Sequence, residues 1–323
     1  MGSVRTRSLP LDGNIPRLIG LGIPYMLKSE QNRTMILEDG RKLGFAEYGV
    51  PGGRPVFHFH GSAGSRLEHP SPENILARLN IRFISVDRPG TGLSDFQAGR
   101  RIIDWAKDIV QLADHLGIEQ FYVDGYSAGG PHALACAHQL PERVIAGAAI
   151  SSIAPMSRPN AYEGMPLLNQ VLARSARHTP FFTGLIRWLM RNMVMGDFEK
   201  ASKRLMGSIP DSDKAALYDQ KNKEIFVSAV REGFHSGSRG VAQDDILINR
   251  DWGFDLASVR PRIDIWHGEA DVNVPIGAAK YLRDRLPHAN ATFLPKEGHF
   301  FILKYWEKIL SALVNERFED KLE

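Results

Sequence analysis

The stretch FYVDGYSAGGPHALACA, residues 121 to 137, places one serine between a predicted strand and a predicted helix. Apolar and β-forming residues run up to Tyr126, and a helix-forming segment follows Gly129. Ser127 has glycines two residues away on either side, which lets neighbouring backbone approach without a Cβ clash. The pattern predicts a sharp turn that exposes one hydroxyl beside the N–H groups of a helix N-terminus, where negative charge is stabilised.

Strand-like and helical segments alternate along most of the chain. A hairpin turning at Asp39-Gly40 is followed by predicted strands such as PVFHFHG, RFISVDRPG and RIDIWHG, with helical patterns between them. From residue 156 to 245 the pattern is mostly helical, without a convincing strand. This alternation predicts an α/β fold with a mostly parallel central sheet flanked by helices, and ligands bound at the carboxyl ends of its strands.

A serine hydroxyl is a poor nucleophile without a base, and the base in turn needs an orienting acid. With GYSAG between a strand and a helix, the chain resembles the α/β-hydrolase family, in which the order along the chain is Ser, Asp or Glu, then His. The resemblance covers about residues 34 to 318. It implies a hydrolase core formed by 34–155 and 246–323, an inserted helical cap over 156–245, and an N-terminal extension over 1–33.

The resemblance assigns the acid to Asp271, in the segment WHGEADVNVP. Gly268 and Pro275 match the family's Gly-x-x-Asp-x-x-x-Pro pattern, which follows a strand and precedes a helix. Glu269 is the nearest competitor, with a solvated loop carboxylate as its alternative interpretation. The implied role of Asp271 is to fix the tautomer of the catalytic imidazole and to stabilise the imidazolium.

The base is assigned to His299, in KEGHFF, because it follows the last predicted strand and opens the last helix. The family carries a Gly-His pair at this place, matched here by Gly298. His299 is expected to take the proton from Ser127 and to return it to the leaving group.

The segment HFHGSAGSR, residues 58 to 66, resembles the family's oxyanion loop. The implied oxyanion donors are the backbone N–H groups of Ser62 and Ala128, with His60 and Gly61 supporting the loop. His58 and His60 also form an H-x-H pair that is a possible metal site. We do not expect a metal, because the glycine loop accounts for His60 and no third ligand is evident.

Composition excludes several classes of protein. The 40 basic and 37 acidic residues are well mixed, without a basic tract interleaved with aromatics, so nucleic-acid binding is not expected. No apolar run approaches the length of a transmembrane helix. The single cysteine, Cys136, is interpreted as a core residue and fits a reducing, cytoplasmic location. No cofactor is expected, and the oligomeric state is left open.

The identity of the nucleophile limits the reactions that the site is expected to catalyse. The epoxide hydrolases and haloalkane dehalogenases of the family use an aspartate at the position of Ser127, and GYSAG departs from the GGSWG of the aminopeptidase relatives. The expected function is hydrolysis of small to medium apolar carboxylic esters or lactones through an acyl-enzyme. Two alternatives stay open: a carbon–carbon bond hydrolase with the same triad, and a hydrolase-fold receptor for a small ligand.

The helical segment is rich in methionine and aromatic residues, which adapt to varied apolar ligands. Two interpretations are equally supported by the sequence. The side chains either line the substrate pocket or form the core of the cap itself, and they are Phe181, Phe182, Trp188, Met190, Met193 and Met195.

Overall fold

The computed structural model describes residues 28–72, 74–196 and 210–315. Residues 1–27, most of the expected N-terminal extension, lie outside this range. The first strand begins at Lys28, so the sheet includes the last residues of the segment 1–33.

The centre of the fold is an eight-stranded sheet with the order β1-β2-β4-β3-β5-β6-β7-β8. β1 and β2 form the antiparallel hairpin expected at Asp39-Gly40, β2 pairs antiparallel with β4, and the remaining strands are parallel. This arrangement confirms the predicted α/β fold. The strands are β1 Lys28–Ile36, β2 Lys42–Gly49, β3 Arg54–Phe59, β4 Ile81–Val86, β5 Phe121–Tyr126, β6 Val144–Ile150, β7 Arg262–Gly268 and β8 Ala289–Leu294.

Helices cover both faces of the sheet and fill the connection between β6 and β7. The helices outside that connection are α1 Asn74–Arg78, α2 Trp105–His115, α3 Gly130–Gln139, α9 Gly277–Arg285 and α10 Ile302–Val314. Within it, the described residues form α4 Leu167–His178, α5 Pro180–Met195, α6 Asp211–Tyr218, α7 Gln220–Gly233 and α8 Arg239–Ile248. We call α4–α8 the helical insertion.

Strand alternation sends successive side chains to two separate cores. Phe57 and Phe59 of β3 join the cluster under α2, α3 and α9, whereas Val56 joins the cluster under α1 and α10. In α10 the buried residues recur at the helical period, which lays one apolar stripe on the sheet: Ile302, Trp306, Ile309, Leu310 and Leu313. Cys136 lies fully buried in the first cluster, where burial raises the pKa of its thiol.

The turn after β5 is packed backbone to backbone against the end of β3. A Cβ on Gly129 would run into the carbonyl groups of Phe59 and His60, and one on Gly125 would run into the carbonyl of Gly129. Only glycine permits this approach, and the contact fixes the start of α3 beside β3.

We therefore predict that Gly129→Ala destabilises the fold by about 2 kcal/mol or more, because rigid backbone atoms cannot move out of the way. Gly184→Ala is the matched control, since Gly184 lies within α5 and nothing is found within 4 Å of its added Cβ. That variant should be neutral or slightly stabilised, because alanine is the better helix former. Denaturant unfolding measures both, and equal midpoints would contradict the packing argument.

Candidate active site

Ser127 occupies a strained turn at the end of β5. Its φ is 53°, in the left-handed region that non-glycine residues rarely adopt. The residues Ser127–Gly129 form a short 3₁₀ turn that leads directly into α3. The local geometry is the sharp strand-to-helix turn that the sequence predicts.

His299 and Asp271 converge on this serine. The Nε2 atom of His299 lies 3.1 Å from Ser127 Oγ, and its Nδ1 atom lies 2.7 Å from Asp271 Oδ2. The other oxygen of Asp271 accepts the backbone N–H groups of Asn273 and Val274, each at 2.8 Å. A carboxylate only accepts, so Nδ1 carries the ring proton and the Nε2 lone pair faces the serine hydroxyl.

The three residues meet because each follows a strand at the carboxyl edge of the parallel sheet. Ser127 follows β5, Asp271 follows β7 and His299 follows β8, and the order of these strands is β5-β6-β7-β8. Ser151, at the end of the intervening β6, donates its hydroxyl to the carbonyl of His299 at 3.2 Å. Parallel pairing thus brings together residues up to 172 positions apart in the chain.

The charge of Asp271 governs the protonation of His299. Burial alone lowers the pKa of the imidazole, but the charge of Asp271 and its hydrogen bond outweigh burial, and the pKa of His299 lies above its ordinary value of 6.5. Asp213, from α6 of the helical insertion, adds to this effect. Its carboxylate also accepts the backbone N–H groups of His299 at 2.9 Å and Phe300 at 2.7 Å. The insertion therefore helps to hold the backbone that carries the imidazole.

The loop after β3 lies beside Ser127. A Cβ placed on Gly61 would be 3.7 Å from the Cβ of Ser127, and Ser62 and Ser127 line the same cavity. His60 bonds the carbonyl of Gly61 through Nδ1 at 2.9 Å, and burial together with the charge of Arg88 lowers the pKa of this histidine. Arg88 donates to the carbonyls of His60 and Gly61, so the loop is anchored by a buried guanidinium.

His58, which the sequence pairs with His60 as a possible metal site, has different partners. Its Nδ1 bonds Asp124 of β5, and its Nε2 bonds Glu68 at 2.9 Å. Burial lowers the pKa of His58, but the charge of Asp124 and its hydrogen bond prevail and raise it to about 9. Within residues 28–72, 74–196 and 210–315, no group of three His, Cys, Asp or Glu side chains is arranged to hold a metal.

The cavity beside Ser127 has a volume of about 260 Å³ and is closed on one side by the helical insertion. Leu172, Ala173 and Ala176 of α4 line it, as does an ion pair between Arg187 of α5 and Asp245 of α8. Both members of this pair also bond the hydroxyl of Ser62, at 3.3 Å and 3.2 Å. The insertion is thereby linked to the loop that follows β3.

Most of the six apolar residues singled out from the sequence of the insertion neither line the substrate pocket nor form the core of the insertion. Five of them are exposed to solvent: Phe181, Phe182, Trp188, Met193 and Met195. Met190 packs instead on a small core with Ala63, Val194, Phe234 and Val241. None of the six lines the cavity that contains Ser127.

A family model described as alpha/beta hydrolase fold matches residues 54–304, most of the chain. The chain belongs to this family. Among curated relatives, the putative carbamate hydrolase RutD of Caulobacter sp. (strain K31) is 25% identical over 255 residues, which is 76% of this chain and 83% of the relative. None of the helices described by the structure is both long and apolar enough to cross a bilayer.

Solved structures share the fold at low sequence identity. An esterase from Exiguobacterium antarcticum is 20% identical, with a TM-score of 0.63 and coverage of 88% of this chain and 98% of the esterase. The 2-hydroxy-6-oxo-6-phenylhexa-2,4-dienoate hydrolase of Rhodococcus sp. strain RHA1 is also 20% identical, with a TM-score of 0.61 and coverage of 89% and 98%. Solved structures of this fold thus include proteins named as an esterase and as a dienoate hydrolase.

Sequence reasoning missed the carboxylates that reach the site from elsewhere. Asp213 and Asp245 lie in helical segments, where an acidic residue is ordinarily a solvated surface group. Nothing in the local sequence marks Glu68, which lies just after HFHGSAGSR, as a residue of the site. The H-x-H pattern drew attention to His58 but did not identify its partner. Asp124 lies next to His58 because β3 pairs with β5, and this pairing is visible only in the fold.

We predict that His58→Gln destabilises the protein by roughly 3–5 kcal/mol near pH 6, because it leaves Asp124 buried without its cation. The folded pKa of His58 lies near 9, above the ordinary 6.5, so its contribution is full below about pH 6.5 and is lost as the pH rises through 9. The stability difference between wild type and variant should therefore shrink across that window. Urea unfolding at several pH values measures it, with the exposed His115→Gln as control; a constant difference would refute the argument.

Proposed function

We propose that the protein is a serine hydrolase that cleaves small to medium apolar carboxylic esters or lactones through an acyl-enzyme. The observation that carries the proposal is the hydrogen-bonded line from Ser127 through His299 to Asp271, which opens into a cavity. A positioned base and an orienting carboxylate are what a serine hydroxyl requires in order to attack a carbonyl carbon.

In the proposed first half-reaction, Ser127 Oγ attacks the carbonyl carbon while His299 Nε2 takes the hydroxyl proton. Asp271 remains ionised and stabilises the imidazolium. The backbone N–H groups of Ser62 and Ala128 donate hydrogen bonds to the developing oxyanion, which the N-terminus of α3 also stabilises. His299 then gives the proton to the leaving alkoxide oxygen, which departs as an alcohol or, for a lactone, stays attached to the acyl group.

In the second half-reaction, the same imidazole activates a water molecule that attacks the acyl-enzyme. The tetrahedral intermediate collapses, the ester bond to Ser127 breaks, and the serine oxygen regains its proton from His299. A carboxylic acid leaves and the free enzyme is restored. No group beyond the residues of this chain and water is needed to balance the reaction.

The cavity supports a substrate of modest size with an apolar body. Met156, Met165, Leu172 and Ile248 present apolar side chains to it. Two arginines line the cavity: the guanidinium of Arg187 is neutralised by Asp245, and that of Arg158 forms no ion pair with the described residues but donates to the backbone carbonyls of Ala154 and Ala161. We propose that the helical insertion acts as a cap over this cavity, as the resemblance to the family implies.

A carbon–carbon bond hydrolase is the second candidate. It is supported by a curated relative named 2-hydroxy-6-oxononadienedioate/2-hydroxy-6-oxononatrienedioate hydrolase, from Paraburkholderia phymatum, which is 26% identical over 242 residues. Such dioates carry two carboxylates, whereas Arg187 is engaged by Asp245 and the donors of Arg158 are directed at the backbone carbonyls of Ala154 and Ala161. The ester or lactone assignment is therefore preferred, and a panel of p-nitrophenyl esters, lactones and vinylogous diketones separates the two candidates.

The proposal is tested by the pH dependence of kcat/KM on p-nitrophenyl butyrate. His299 acts as a base only when neutral, and its pKa is raised, so activity should fall as the pH decreases through a midpoint above 6.5. Asp271→Asn removes the main charge that raises this pKa, so the midpoint should move to lower pH while the plateau drops by about 10⁴-fold.

Glu269→Gln is the matched control, because Glu269 lies two residues from Asp271 in the same loop and competes with it for the acidic role. It should leave both the midpoint and the plateau close to wild type, and Ser127→Ala should abolish turnover. A shift produced by Glu269→Gln but not by Asp271→Asn would contradict the assignment. Turnover that survives in Ser127→Ala would contradict the mechanism, and no turnover by a folded wild type on any substrate would favour the receptor alternative.

A further inference from the structure

The outward side of α4 and α5 is apolar along its length. In α5 the exposed apolar side chains recur every three or four residues from the first turn to the last, as they do in a helix with one apolar face. We call the following exposed residues the outer face: Leu167, Leu168 and Val171 of α4, and Phe181, Phe182, Leu185, Trp188, Leu189, Met193 and Met195 of α5. Contiguous exposed apolar surface of this kind marks a site of contact with a partner.

The outer face combines this apolar surface with positive charge. Residues 164 to 196 contain four arginines and one histidine and no aspartate or glutamate. Arg174 and His178 continue the exposed stripe of α4 at the spacing 167, 171, 174, 178, and both are exposed. Arg174 lies over the ring of Tyr162, and neither it nor Arg177 forms an ion pair with a carboxylate of the described chain.

The remaining two arginines of the segment face inward. Arg187 pairs with Asp245, and Arg191 donates to the carbonyl of Phe234 at 3.2 Å. Each helix is thus divided into two sides. The inner side packs on the insertion and lines the cavity. The outer side presents leucine and aromatic side chains, and arginines that form no ion pair with the described residues.

We propose that the outer face docks on the surface of an anionic lipid bilayer. Aromatic and leucine side chains of an amphipathic helix enter the boundary between headgroups and acyl chains, and neighbouring arginines pair with lipid phosphates. A second copy of the chain fits less well, because two outer faces brought together would place like charges side by side, and residues 164 to 196 offer no carboxylate to pair with them.

Docking of this face would place the cavity next to the bilayer. Leu172, Ala173 and Ala176 line the cavity from the inner side of α4, while Val171 and Arg174 lie on its outer side. An apolar ester or lactone dissolved in the bilayer would therefore be close to the cavity that contains Ser127. The supply of substrate from the bilayer to this cavity rests on the proposed function, whereas docking itself requires no turnover.

The chain contains its own reporter for the test. It has five tryptophans, and four of them are at most 5% exposed, whereas Trp188 of the outer face is 51% exposed. A change in intrinsic emission on adding vesicles therefore reports on Trp188. The full-length protein is titrated with phosphatidylcholine vesicles, with and without phosphatidylglycerol, and binding is also followed by co-sedimentation.

The expected result is a blue shift of Trp188 emission, and an affinity for the anionic vesicles at least roughly tenfold above that for neutral ones, since Arg174 and Arg177 each meet the lipid charge. Phe181→Asp should abolish vesicle binding, and the double variant Arg174→Gln, Arg177→Gln should remove the preference for anionic lipid. Ile36→Asp is the matched control, because Ile36 is 66% exposed on β1 of the core; it should bind as wild type does.

The proposal is overturned if vesicles leave the emission and sedimentation of the wild type unchanged, or if Phe181→Asp binds as well as Ile36→Asp. It is also overturned if Trp188 emission shifts with protein concentration alone and the mass in solution doubles, which would assign the outer face to a second copy. Hydrolysis of p-nitrophenyl acetate in the absence of vesicles should be the same in these variants as in wild type. A folded wild type that hydrolyses none of the esters and lactones tested would refute the proposed function without affecting the binding result.

Discussion

The active-site geometry depends on one backbone contact, the packing of Gly129 against the end of β3. This approach allows the chain to turn within a few residues from β5 into α3, and it holds Ser127 at a φ of 53°. A strained conformation persists only where its surroundings enforce it. Here the parallel pairing of β3 with β5 enforces it, and the same pairing brings the loop at Gly61 and Ser62 next to the serine.

Buried charges hold the groups that surround this turn. Arg88 anchors the carbonyls of the loop after β3, and it is held in turn by Asp244 of α8 at 2.7 Å. Asp213 and Asp245, also from the helical insertion, contact the backbone at His299 and the hydroxyl of Ser62. Three carboxylates of the insertion therefore reach the core at the site, so the insertion contributes to the position of the site residues as well as to the wall of the cavity.

The parts of this arrangement that are local in sequence are the parts that sequence reasoning predicts. The strand, turn and helix around Ser127 follow from glycine spacing and apolar pattern. The choice of Asp271 and His299 comes from the resemblance to the family, and the rule that ligands bind at the carboxyl ends of parallel strands places both at the edge where Ser127 lies. The contacts of Asp213 and the His58–Asp124 pair depend on long-range packing, which no local pattern encodes. The sequence also does not determine which way the apolar side of α5 faces, because an apolar stripe on a helix has the same spacing whether it faces a core, a ligand or solvent.

The most direct test of the account is to trap the covalent intermediate. The protein is mixed with p-nitrophenyl butyrate, quenched in acid within the first turnover and analysed by peptide mass spectrometry. We expect a butyryl group on the peptide that contains Ser127, on the serine oxygen, and none in Ser127→Ala. A hydrolytically active protein that gives no acylated peptide under these conditions, or that carries the acyl group on another residue, would contradict it.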